Sequence, residues 1–226
     1  MPELHEHQVE INRVTLSRQQ IQRNYDRRIG WYEFFIDPLL ERCRELGVHV
    51  LNVQKDETVL EIGFGTGYAL VPIGAKVGPK GLVYGIDNSR VMTTIAQQRV
   101  DQAGLSTRTF IQQWDAIRLP FENKFFSSIF ISFTLELFDT PEIPLVLKEC
   151  KRVLGYGGRI CVVALAKCDH RLTRWYERLH QRYPRFLACR PIYTDQVLAD
   201  AGFSVSSMMV SSVGGMPVDI VLAKTE

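Results

Sequence analysis

Short apolar runs alternate along the middle of the chain with stretches whose apolar positions recur at three and four. The runs are Val59-Leu60-Ile62, Leu82 to Ile86, about Arg108 to Gln112, Phe126 to Phe133 and Ile160 to Ala166. Each is bounded by turn residues and has the length of a buried strand. Between them, Met92, Ile95, Ala96 and Val100 share one helical face, and Ile143, Leu147, Cys150, Val153 and Leu154 share another. A further helix is predicted from about Thr66 to Lys76, kinked or shortened by Pro72. Strands alternating with helices predict a parallel, doubly wound α/β sheet with ligands at the strand C-termini. The two ends depart from that rhythm. Ile11, Val14, Ile21 and Tyr25, then Leu39, Leu40, Cys43 and Leu46, predict helices over residues 1–50, the second opened by Asp37-Pro38 and closed at Gly47. Near the other end, Phe203 to Ser211 and Val218 to Lys224 read as strands separated by Gly214-Gly215-Met216-Pro217. Successive strands joined so briefly pair antiparallel.

Helix ends are marked as well. Asn88 or Ser89, Thr140 with Pro141, and Thr194 stand where caps belong; Gly104, Gly155 and Gly202 stand where helices stop.

The first strand breaks into Gly63, Gly65 and Gly67, with Glu61 two positions ahead of them. Glycine belongs where φ is positive or where a ligand approaches the backbone too closely for a Cβ. A dinucleotide fingerprint would put its third glycine at position 68, which is Tyr68. Asp87 ends the second run twenty residues after Gly67 and is placed to accept from both hydroxyls of a ribose. Nicotinamide and S-adenosylmethionine enzymes share that need.

The spacing E-x-G-x-G-x-G resembles motif I of the class I S-adenosylmethionine-dependent methyltransferases. The resemblance extends through Asp115-Ala116, the run SFTLELFD, KECKRVLGYGG and the terminal strand pair, covering roughly residues 20 to 226. The wording is most similar to the ubiquinone/menaquinone biosynthesis type, with Tyr156 where a proline is usual. It implies a seven-stranded Rossmann-like sheet with an antiparallel C-terminal hairpin on residues 51–226, preceded by a helical cap on residues 1–50. It also implies S-adenosyl-L-methionine as cofactor and a small, apolar or aromatic acceptor. Cofactor-binding positions carried over are Glu61, Gly63, Gly65, Gly67, Asp87, Asn88, Asp115, Ala116 and Ser132, with Asp115 accepting from the adenine amino group. Tyr25 and Tyr32, in a segment similar to YD…WY, either close over the cofactor or pack the N-terminal helices onto the body. A methyl acceptor has to lose a proton, and the candidate bases are Glu136, just past strand four, and His180.

Composition sets bounds. In 226 residues, 46% hydrophobic and 23% charged side chains suffice for a sizeable core, and a net charge of +2 without basic runs gives no reason to expect a nucleic-acid partner. The five cysteines have no C-x-x-C spacing, and His5-Glu6-His7 lacks partners at ligand spacing, so reduced thiols and no metal are expected. The polar N-terminus and the lack of a long apolar run lead to the expectation of a cytoplasmic protein. From Asp169 to Arg190, six arginines interleave with Leu172, Trp175, Tyr176, Leu179, Tyr183 and Phe186. That amphipathic basic helix either lies on the body with solvated arginines or rests on an anionic membrane surface. Two other functions stand beside methyl transfer: cofactor binding without catalysis, and NAD(P)-dependent oxidoreduction.

Overall fold

The computed structural model describes residues 37–168, 171–183 and 189–225, together with Arg13 and Gln20. Helix α1 (Asp37–Leu51) leads into β1 (Thr58–Ile62), α2 (Leu70–Lys76), β2 (Leu82–Asp87), α3 (Arg90–Gln102) and β3 (Thr109–Gln113). Strand β4 (Phe126–Ser132) is followed by a single 3₁₀ turn (Leu135–Leu137), α4 (Ile143–Val153) and β5 (Leu154–Leu165). The chain then forms α5 (Arg171–Arg182), α6 (Thr194–Asp200), β6 (Ser204–Val213) and β7 (Met216–Lys224).

One seven-stranded sheet runs in the order β3-β2-β1-β4-β5-β7-β6. β1 to β5 are parallel, and β7 lies antiparallel between β5 and β6. The order reverses between β1 and β4, which opens a crevice at their C-terminal ends. Period-two alternation feeds two cores. Ile160, Val162 and Ala164 of β5 face the layer holding α4 and α6, while Cys161, Val163 and Leu165 face the layer holding α1, α2 and α3. Each fully buried Ile, Leu or Val contributes about 1.5–3 kcal/mol. The two layers therefore hold β1 and β4 fixed at the crevice.

Several element ends differ from the sequence expectation, each for a local reason. Gly47 does not end α1, which continues to Leu51; a Cβ on Gly47 would stand 2.4 Å from Val163 Cγ2 and 2.9 Å from Phe130 Cε2, so this glycine lets the helix sit close on the sheet. Helix α2 begins at Leu70 rather than Thr66, because Gly67 has φ +84°. Pro72 then falls in the first turn, where its missing N–H costs no helical hydrogen bond. α4 starts at Ile143 with Pro144 in its first turn, not at Pro141, and Asp139 and Glu142 bridge its start by an exchange of hydrogen bonds. Thr194 is the first residue of α6 rather than its cap; its hydroxyl is buried without a hydrogen-bond partner among the described residues. Ser89 does cap α3, its Oγ accepting from Met92 N at 3.1 Å. The hairpin turn is tighter than expected: Gly214 and Gly215, at φ +54° and +81°, join β6 to β7 directly.

The expected helix around Ile11 to Tyr25, the His5-Glu6-His7 triplet, Tyr25 and Tyr32 lie outside the described residues. No helix among the described residues is long and apolar enough to cross a membrane.

Candidate functional site

The three glycines after β1 serve three different purposes. A Cβ on Gly63, at φ +71°, would stand 2.2 Å from the Thr134 side chain, whose Oγ1 donates to the Gly63 carbonyl at 3.2 Å. A Cβ on Gly67 would meet Ala96 Cβ at 2.9 Å, so that glycine lets α3 pack against the turn. Gly65, at φ +54°, is different: a Cβ there meets no atom within 4 Å. It opens into a cleft with Gly63, Phe64 and Thr66 on the same wall. A glycine kept where the protein itself leaves room fits a ligand lying against the backbone.

Asp87 stands across from that turn at the end of β2. One carboxylate oxygen accepts from Gly65 N at 2.9 Å and the other from Ser89 N at 2.8 Å. These charge-assisted bonds fix both the turn and the start of α3. Asn88, Asp115, Ala116 and Ser132 line the same cleft, so the crevice brings together most of the positions marked in the sequence. Asp115 Oδ1 accepts from Ile117 N at 3.1 Å, and Trp114 N donates to the Asp87 carbonyl at 2.9 Å, joining the loops after β2 and β3. Thr134 of the loop after β4 also lines the cleft, as do Leu40, Arg44, Met92 and Trp114, which the sequence did not mark as site residues. Leu40 and Arg44 come from one face of α1, and nothing in their spacing distinguishes that face from an ordinary packing face.

Glu61 is buried in the body of the sheet and does not line the cleft. Burial pushes its carboxyl up to about 8, opposed by the positive charge of Arg44 and reinforced by Asp87. A buried, protonated glutamic acid keeps its proton in the folded state between about pH 4.5 and 8, whereas the unfolded chain releases it. Stability therefore falls as pH rises through that window, by at most about 1.4 kcal/mol per pH unit from this group. The expected result is that Glu61→Gln loses clearly fewer degrees than the parent between pH 6 and pH 8, the loss that remains coming from Glu136, whose carboxyl burial also raises. Parallel melting curves for the two proteins over that range would refute a neutral Glu61.

The wall beyond β4 is held differently. Phe133, at φ +48°, carries backbone strain of about 1–2 kcal/mol at the end of the strand and donates its N–H to Val163 O at 2.7 Å. Thr134 before the 3₁₀ turn, Leu137 at its end and Phe138 just beyond it form the cleft surface. Glu136, on the same turn, points away into the interior; it is fully buried, and its Oε1 accepts from Leu165 N at 3.3 Å. Burial lifts its carboxyl to about 7, against the pull of backbone N–H groups and Arg190. His180 is buried on α5. Neither Glu136 nor His180 lines the cleft.

Arg190 belongs to this wall and not to a solvated helix face. It is 1% exposed, beyond the end of α5, and its Nη2 donates to the Phe138 carbonyl at 2.6 Å. Burial holds its guanidinium down, to about 10, with Asp139 and Glu136 opposing. On the outer side, Arg13 makes a bidentate ion pair with Asp139 at 2.6–3.0 Å. Two arginines thus hold adjacent residues at the cleft wall, Arg190 the Phe138 carbonyl and Arg13 the Asp139 carboxylate, a role that an amphipathic pattern does not reveal.

Residues 59–158 match the profile of the methyltransferase-domain family. A demethylmenaquinone methyltransferase of Geobacillus kaustophilus is 33% identical over 152 residues, 67% of this chain and 62% of the relative. The chain thus spans about three fifths of the length of the curated relatives it matches first. Among solved structures, an S-adenosylmethionine-dependent methyltransferase from Aquifex aeolicus superposes with a TM-score of 0.62 at 23% identity, covering 81% of this chain and 89% of its own. The 4+2 cyclase SpnF superposes with a TM-score of 0.67 at 19% identity, covering 82% and 81%. At these identities the likeness establishes the fold, on which more than one chemistry is found.

Proposed function

The chain carries a methyltransferase domain on a seven-stranded sheet, and from that premise we propose that it binds S-adenosyl-L-methionine in the cleft and methylates a small apolar or aromatic acceptor. The observation that carries the reading is Gly65, open to the cleft and tied by its N–H to Asp87. The donor set suits this cofactor. In this reading Asp87 offers its carboxylate to the ribose, Asp115 and the Ala116 backbone take the adenine, and position 68, where a dinucleotide fingerprint would carry its third glycine for a pyrophosphate, is Tyr68.

When bound, the cofactor supplies an activated methyl group on a sulfonium, open to SN2 attack. What the chain adds is alignment and exclusion of water. Phe133, Leu137 and Phe138 give the β4 side of the cleft an apolar wall, which suits an aromatic or prenylated acceptor better than a charged one. The relatives named for demethylmenaquinone support a quinone-type acceptor within that class. A phenolic or hydroquinone-type nucleophile ionises without a strong base. Glu136, whose Oε1 accepts from Leu165 N, then serves by holding the interior behind the wall, while His180 is buried on α5 away from the cleft.

The first test uses thermal unfolding with S-adenosylhomocysteine and with NAD. Stabilisation by about 2–3 kcal/mol at a hundredfold excess over Kd is expected with the former and none with the latter. Next, methyl-labelled cofactor is incubated with the protein and a cell extract. Label in an organic-soluble small molecule supports the acceptor class. A protein that binds S-adenosylhomocysteine tightly yet transfers no label to any fraction would instead be a binding protein, or a catalyst of another reaction on this fold, for which the cyclase neighbour is a precedent.

A further inference from the structure

The folded position of α5 divides its side chains sharply. Thr173 and His180 are buried; Tyr176 sends its hydroxyl to the Cys189 carbonyl at 3.0 Å; Glu177 pairs with Lys167 at 3.3 Å. These residues fix one side of the helix to the body. At 100° per residue, positions 174, 175, 178 and 182 fall together on the opposite side. Arg174, Arg178 and Arg182 are exposed there, and Trp175 is 60% exposed among them. Tyr183, next to the helix end, is 48% exposed. Over Arg171–Arg182 the charge is +3, in a chain whose total is +2, so the helix carries the positive charge of the molecule against a remainder that is slightly acidic.

We infer that this outer face of α5 docks the protein on an anionic lipid bilayer. A wall of arginines is complementary to lipid phosphates, and an indole and a phenol at the same level suit the region between headgroups and acyl chains. Twelve residues lying flat suffice for surface contact and are too short to span. The helix is also coupled to the cleft: Tyr176 holds the Cys189 carbonyl, the Cys189 thiol stands 4.0 Å from the Phe133 carbonyl, and Arg190 holds Phe138. Docking through α5 therefore sets the apolar wall of the cleft beside the membrane. This deepens the proposed methyl transfer, on which it rests for its purpose, by naming the source from which an apolar acceptor enters.

The full chain is sedimented with vesicles of phosphatidylcholine alone and with vesicles containing phosphatidylglycerol, at low and at physiological salt. Binding is expected only to the anionic vesicles and is expected to weaken with salt. The variant R174Q/R178Q/R182Q should bind roughly a hundredfold more weakly, about fivefold for each arginine removed. Lipids brominated on the acyl chain should quench tryptophan fluorescence in the parent and much less in W175F, which keeps Trp31 and Trp114. Stabilisation by S-adenosylhomocysteine, measured on each variant, certifies the fold. If the parent ignores anionic vesicles, or if the triple variant binds them equally well, the docking face is wrong even where S-adenosylhomocysteine binds normally. Conversely, vesicle binding that needs the arginines, in a protein that never binds S-adenosylhomocysteine, would keep the docking face and overturn the methyl-transfer reading. Tight binding of duplex DNA or RNA by the parent without vesicle binding would assign the arginines to nucleic acid instead.

Discussion

Gly65→Asn folds like the parent and loses S-adenosylhomocysteine by at least a hundredfold. The structural grounds are two. Asparagine tolerates the left-handed region that φ +54° demands better than other side chains do, so the backbone strain is small. Nothing within 4 Å opposes its Cβ, so no packing is lost in the empty protein. The side chain then stands in the space left against the backbone turn, and about 2.7 kcal/mol of ligand binding, or more, disappears with little change in melting temperature. Gly67→Ala is the contrasting control: its Cβ meets Ala96 at 2.9 Å, and its damage should appear as lost stability. Calorimetric titration and thermal melts on the two variants separate these outcomes. Near-parental affinity in Gly65→Asn would remove the ligand from the turn.

Asp87→Ala should lose both properties at once. Its carboxylate accepts from Gly65 N and Ser89 N, and deletion leaves both amides without those acceptors. Hydrogen bonds to a charged group are worth about 1.5–3 kcal/mol each, so loss of the two should lower stability by about 3–6 kcal/mol. For a chain of this size that lowers the melting temperature by roughly 6–24 °C. Loss of the acceptor for the ribose hydroxyls should weaken S-adenosylhomocysteine binding by about a thousandfold, from the same pair energies. Asp87→Asn keeps one carbonyl acceptor and should fall between the two in stability. An alanine variant that melts early but binds at parental affinity would leave Asp87 with the turn alone and no part in ligand recognition.

Strand interiors were the most legible part of the sequence. β2 runs from Leu82 to Asp87 as its apolar run predicted, because a strand buried on both faces shows continuous apolar residues and stops at the first carboxylate. The crevice was legible for the same reason: Gly63, Gly65, Asp87 and Asp115 follow directly from strand ends, and the parallel order forces those ends together. Helix ends were less so. Gly47 looks like a stop signal because a glycine required by contact with Val163 and Phe130 is written the same way as a glycine required by φ. Thr194 looks like a cap because its burial depends on a neighbouring layer that local sequence does not encode. The farther wall of the cleft was the least legible. Arg190 reads as one more member of a basic stripe, and its carbonyl partner Phe138 lies 52 positions away. Trp175 presents the reverse case, an apolar side chain counted with the packing face that the fold turns outward.

The hairpin has a consequence for the order in which the molecule can be assembled. β6 reaches the sheet only through β7, and β7 sits between β6 and β5 although it is made later than either. During synthesis, β6 leaves the ribosome with no neighbour to bond to, while the crevice strands β1, β2 and β4 already have all of theirs. Ten residues of serine, valine and methionine, without a single charge, must wait in that condition until residues 216–224 fold back over them. The ligand-binding half can thus close cotranslationally, and the interval before β7 arrives is when the nascent chain most needs a chaperone.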